Sequence, residues 1–116
     1  MVEEKLDVLY KGRANVKDGF KAYPGVLFLT HDLLIHKPSD YFDPEINLHW
    51  QDIAQISGVK TKILGKEMLS NLLKVEMKNG TTYQFVVNKQ KKWLEAIEDL
   101  LEQRNEKGKL NTIAEE

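Results

Sequence analysis

Cysteine is missing from all 116 residues, which excludes disulfide staples, thiol nucleophiles and zinc sites of the cysteine type. An excess of either charge is missing too: 17 Lys and Arg stand against 18 Asp and Glu, for a formal net charge of −1. Nucleic-acid binders normally carry a basic surplus, so no nucleic-acid partner is expected and any basic patch must be local. No stretch approaches the roughly 18 to 20 unbroken apolar residues of a membrane-spanning helix. Met1 to Asp7 has neither the basic start nor the apolar core of a secretory signal. The expected location is therefore cytoplasmic.

Catalytic signatures are equally sparse. Gly58 and Gly65 are isolated, so no glycine-rich phosphate loop is present. Ser39, Ser57 and Ser70 sit in no nucleophile-elbow context. His31, His36 and His49, with Asp32 and Asp52, lack the close ligand spacing of established metal motifs. Neither an enzyme nor a cofactor is expected.

What is present is a globular composition, 41% hydrophobic and 30% charged, in a chain long enough to bury a core as one domain. The stretch organising it is Gly25 to His36. Val26 to Leu29 and Leu33 to Ile35 are two apolar runs joined by a polar turn at Thr30 to Asp32. A strand with one wet face alternates; these do not, which predicts a hairpin deep in a curved sheet.

Around it, a first strand is expected from about Leu6 to Val16, then a loop from Asn15 to Gly25 that mixes Lys17, Phe20, Lys21 and Tyr23 with Gly19 and Pro24. Lys37 to Glu45, with Pro38 and Pro44, reads as a loop. Ile46, Leu48 and Trp50 alternate with Asn47 and His49. A turn at Gln51 and Asp52 leads to a strand over about Ile53 to Ile63, and Leu64 to Asn71 reads as a connection. Leu73, Val75 and Met77, then Asn79-Gly80, then Tyr83, Phe85 and Val87 predict a hairpin with a type I′ turn.

Trp93, Ile97, Leu100 and Leu101 form one helical stripe, with Asn88 as the expected cap. Lys89, Lys91 and Lys92 crowd the positive end of the helix dipole, at a cost of about 0.3 to 1 kcal/mol each unless well exposed or facing an anion. The fold class that follows is α+β, mainly β: a curved antiparallel sheet or partly open barrel of about seven strands, closed by a C-terminal helix. Residues 1–104 form the domain and 105–116 a short polar tail.

Three stretches resemble a known family. Gly25-Val-Leu-Phe-Leu-Thr-His-Asp-Leu-Leu-Ile-His36 is similar to the G-x-L-Y-L-T-x-x-x-L-I-F signature of GRAM domains, within the pleckstrin-homology-like superfold. Ile46-x-Leu48 with Asp52-Ile53 and Ile56, and Lys78-Asn79-Gly80 through Tyr83 and Phe85, are similar to its later strands. Where the family usually ends the signature on an aromatic, this chain has His36, either a core or rim histidine or part of a binding surface.

The resemblance implies a non-catalytic binding module for anionic membrane lipid or a protein segment, standing alone or as a homo-oligomer. It also implies a head-group site in the loop after the first strand, where Arg13, Lys17 and Lys21 match the basic residues, beside Phe20 and Tyr23. The family's dense basic pattern is not met. Three cations near an anionic leaflet supply about 3 kcal/mol and a partly inserted Phe20 about 1 to 2 more, which is millimolar to submillimolar binding. The competing reading is a protein-interaction or structural domain without lipid affinity, which adds a strand at an exposed sheet edge or in the groove beside the helix.

Overall fold

The computed structural model describes residues 7–18, 21–63 and 67–115. In chain order it contains β1 (Val8–Asp18), β2 (Lys21–Thr30), β3 (Leu33–Pro38), β4 (Ile46–His49), a 3-10 turn (Trp50–Asp52), β5 (Ile53–Ile63), β6 (Glu67–Met77), β7 (Thr82–Val87), helix α1 (Gln90–Gln103), a second 3-10 turn (Lys107–Lys109) and β8 (Leu110–Glu115). One sheet holds all the strands, in the order β4-β3-β2-β1-β7-β6-β5-β8. The first seven pair antiparallel, and β8 runs parallel to β5.

The expected hairpin is present. Leu27 lies opposite His36 and Leu29 opposite Leu34, and all four are buried. Thr30 closes the turn: its hydroxyl donates to the Leu33 carbonyl at 2.8 Å and accepts from the Leu33 amide at 2.9 Å. The core continues through Leu48, Trp50, Ile53, Ile56, Leu73, Val75, Phe85 and Val87 to the helical stripe Trp93, Ile97, Leu100 and Leu101. Helix α1 thus plugs the concave face of the sheet, as the period of its apolar residues requires.

Five sequence expectations need correction. The loop from Asn15 to Gly25 is instead the end of a β-hairpin, with Val16 opposite Tyr23 and Asp18 opposite Lys21. Residues 15–17 and 22–25 satisfy the ladder despite Pro24, which lacks an N–H but keeps a carbonyl that accepts from the Ser39 amide at 2.8 Å. The turn after β6 is not type I′, because among its residues only Gly80 has positive φ, at 96°. The Gly80 amide donates to the Met77 carbonyl at 3.0 Å and the Met77 amide to the Thr81 carbonyl at 2.8 Å, the pattern of a three-residue loop ending in a glycine bulge.

The connection drawn over Leu64 to Asn71 is shorter, since β6 starts at Glu67; Gly65 lies outside the described residues. Asn88 does not cap α1. The cap position is Lys89, left-handed at φ 59° and without a side-chain hydrogen bond. The helix start is pinned instead by Gln90, whose buried amide donates to the carbonyls of Val59 at 3.0 Å and Leu72 at 2.7 Å. Those carbonyls belong to β5 and β6 beside a register shift between Val59 and Lys60, so one side chain bridges the two strands where their ladder is irregular. Finally, the segment read as a polar tail forms β8 along the outer edge of β5.

Beyond the helix, Glu106 accepts from Lys109 Nζ at 2.6 Å and from Arg104 Nε at 2.7 Å. Lys109 also donates to the Trp50 carbonyl at 2.7 Å, and Arg104 to the His31 carbonyl at 3.0 Å. This clamp ties the end of α1 to the turn of the signature hairpin. The hydrogen bond from Lys109, then that from Arg104, holds the Glu106 carboxyl below the usual carboxylate range. A depressed folded value means stability present above the unfolded carboxyl's titration and lost as pH falls through the folded one. Glu106→Gln is therefore expected to flatten the acid side of the stability-versus-pH curve relative to wild type, measured by urea unfolding at a series of pH values.

Candidate functional site

In an antiparallel sheet the β1–β2, β3–β4 and β6–β7 connections emerge at one end, because β1 is flanked by β2 and β7. These three connections surround a cleft of about 680 Å³, within the range of ligand pockets. Val16, Lys17, Asp18 and Tyr23 form one wall, Pro44 to Asn47 the second, and Thr81, Thr82 and Tyr83 the third. The β6–β7 turn is fixed by the Asn79 side chain, which accepts from the Thr81 amide at 2.9 Å.

The lining is amphipathic and of mixed sign. Two tyrosine rings and Ile46 offer apolar surface, the threonines and Asn47 offer hydrogen bonds, and the charged residues are Lys17, Asp18 and Glu45. One cation beside two carboxylates does not make a polyphosphate cradle, which uses converging Arg and Lys. Such a surface suits an extended segment with both apolar and polar groups.

The residues expected from the sequence divide among several places. Lys17 and Tyr23 line the cleft. Lys21 is exposed at the hairpin end, opposite Asp18. Arg13 is exposed four residues down β1, on the side of the strand opposite the buried Ala14 and Val16. Phe20 lies outside the described residues.

His36 is 1% exposed and sits in the core behind the cleft. Its Nε2 donates to the Ala14 carbonyl at 2.8 Å, across the intervening strand β2, while Nδ1 is buried with no hydrogen-bond partner. The ring crosses β2 over Gly25, where a Cβ would stand 2.6 Å from Cε1 and 2.9 Å from Nε2. The glycine opening the signature stretch and the histidine closing it are one packing unit.

Sequence reasoning missed Glu45, Asn47, Thr82 and Tyr83 as cleft residues, although counting strand directions from the predicted turns would have placed them at one end. It also missed Tyr41 and Phe42, which are 93% and 90% exposed. The lysines opening α1, Lys89, Lys91 and Lys92, are all exposed, consistent with the tolerated-cost reading. Among the described residues no cluster of His, Asp and Glu could hold a metal ion, and no helix is long and apolar enough to cross a membrane.

No family model and no curated protein matches this chain. Solved structures do match in fold. The C-terminal domain of an unknown protein from Leishmania infantum aligns with a TM-score of 0.68 at 17% identity, over 82% of this chain and 84% of that one. A chain in the structure of the Spt16D Pob3N heterodimer aligns at 0.61 and 14% identity over 91% of this chain, which spans 53% of that one. The Slm1-PH domain in complex with inositol-4-phosphate aligns at 0.57 and 13% identity, over 81% of this chain and 94% of that one. At these identities the likeness is one of fold alone: the antiparallel sheet formed by β1 to β7 with its C-terminal helix, as in the Slm1-PH domain.

Proposed function

We propose that this chain is a non-catalytic binding module of GRAM type whose cleft, at the end of β1–β2, β3–β4 and β6–β7, takes an extended protein segment. The observation that carries the reading is the cleft's lining, with Tyr23, Tyr83 and Ile46 beside hydroxyls, an amide and charges of both signs. Peptides are held by this mixture, whereas a phosphorylated head group selects clustered cations.

The weak anionic-lipid reading is supported by Lys17 and Lys21 at the hairpin end and by the solved Slm1-PH complexes with inositol-4-phosphate and phosphoserine. It is disfavoured by Asp18 and Glu45 within the same cleft, which an anionic surface repels.

Thr82 is an exposed strand residue on the rim, so Thr82→Trp fills the cleft with a residue that strands accept. Peptides selected from a displayed random library on the wild-type chain are expected to bind Thr82→Trp at least about tenfold more weakly. Undiminished binding to that variant would exclude the cleft. Vesicles of phosphatidylserine and phosphatidylcholine are expected to sediment little of the chain. Strong sedimentation, weakened by salt and by Lys17→Glu with Lys21→Glu, would replace the peptide reading with the lipid one.

A further inference from the structure

The loop between β3 and β4 presents two aromatic rings to solvent. Tyr41 and Phe42 pack edge to face at 5.4 Å between centroids. The turn beneath them is set by Asp40, whose side chain accepts from the Phe42 amide at 2.9 Å and whose carbonyl accepts from the Asp43 amide at 3.1 Å. Asp40, Asp43 and Glu45 flank the pair along the chain, with no cation between 39 and 45. Exposed large apolar side chains on a hydrogen-bonded turn, with charged residues beside them in the chain, are the makeup of an interface anchor.

Elsewhere on the same chain is a surface of the opposite kind. The outward positions of β1 are Lys11, Arg13, Asn15 and Lys17; those of β2 are Ala22, Pro24, Val26 and Phe28; those of β3 are Leu33 and Lys37, with Ile35 between them buried. No carboxylate shares them, and Lys11, Arg13 and Lys37 make no ion pair among the described residues. Lys37 lies over the Phe28 ring at 5.7 Å. Next to Phe28, a register shift between Val8 and Tyr10 leaves Val8 and Leu9 42% and 44% exposed. They border a shallow apolar hollow of about 370 Å³ with Tyr10, Lys11 and Phe28.

The two surfaces lie at opposite ends of the β2–β3 ladder. The aromatic loop leaves from Pro38, opposite Gly25, whereas the hollow lies beside Phe28 and Thr30. Five residues of strand separate Gly25 from Thr30, about 17 Å. A loop anchored at one end does not fold back onto a hollow at the other. Two chains placed antiparallel bring each loop to the other's hollow.

We propose that the occupant of the outer β1–β3 face is a second copy of this chain. In that pair Tyr41 and Phe42 of one copy sit on Val8, Leu9 and Phe28 of the other, and the carboxylates around them meet Lys11 and Arg13. The contact is reciprocal, so a twofold pair closes without forming filaments. Lys17 and Glu45 border both these surfaces and the cleft at the hairpin end, but the proposal does not depend on what that cleft binds.

Sedimentation equilibrium of the full chain tests it. Wild type is expected to show a concentration-dependent dimer between about 10 μM and 1 mM at low salt, weakening as salt rises. Lys11→Glu with Arg13→Glu, and separately Asp43→Lys with Glu45→Lys, are expected to be folded monomers by circular dichroism. Each variant pairs like charges at both contacts of its own dimer, but mixing the two restores opposite charges at both. The mixture is therefore expected to dimerise. A wild type that stays monomeric through that range, a dimer insensitive to both variants, or a mixture of folded variants that does not associate would each overturn the proposal.

Discussion

Trp93→Ala is expected to remove about 3–5 kcal/mol of stability, the usual cost of deleting a buried large aromatic. Trp93 is 1% exposed. It packs edge-on against Tyr10 at 4.6 Å between centroids, and its ring passes over Gly12, where a Cβ would rest 3.5 Å away. Since single domains hold only about 5–15 kcal/mol in total, such a loss leaves the chain marginal at physiological temperature. Urea unfolding gives the number. A loss below about 1 kcal/mol would mean that α1 does not plug the sheet as described. The same geometry predicts that Gly12→Ala costs little, because its added methyl meets the Trp93 ring at ordinary van der Waals distance.

Gly25→Ala is the contrasting case, expected to cost about 3 kcal/mol through overpacking that the backbone must absorb. Its Cβ would stand 2.3 Å from the Lys37 carbonyl oxygen as well as against the His36 ring. Either the β2–β3 ladder shifts or the ring leaves and abandons its hydrogen bond to Ala14. His36→Ala in the same chain relieves the ring contact but not the carbonyl contact, so the double variant should recover part of the loss and not all of it. A double-mutant cycle measures that coupling. Strict additivity would show that glycine and histidine are not one packing unit.

These two sites show what was legible in the sequence. The core face of the hairpin followed from unbroken apolar runs, and the helix from the spacing of Trp93, Ile97, Leu100 and Leu101, because both patterns are local and periodic. The inward direction of His36 followed from its alternation with Leu34. Its partner did not: Ala14 is 22 residues away, and a backbone carbonyl carries no side-chain signature.

The same limit explains the other misses. Gln90 reads as an ordinary first-turn residue, yet it bridges two carbonyls 18 and 31 residues distant. Arg104 reaches His31 across 73 residues. In a local reading Pro24 and the neighbouring glycines outweigh the alternation of Ala14 and Val16 with Asn15 and Lys17, so the β1–β2 hairpin has the signature of a loop. The β8 strand was hidden because its apolar residues, Leu110, Ile113 and Ala114, follow no strand alternation. The cleft drew Lys17 and Tyr23 from the expected loop, but its other walls come from connections that only the sheet order brings together.

Amide-shift mapping of the full chain, titrated with a peptide selected on it, tests the central claim most directly. Perturbations are expected to concentrate at 16–18, 23, 45–47 and 81–83. Perturbations confined to the outer β1–β3 face or to the β5–β8 edge, with those residues unmoved, would contradict it.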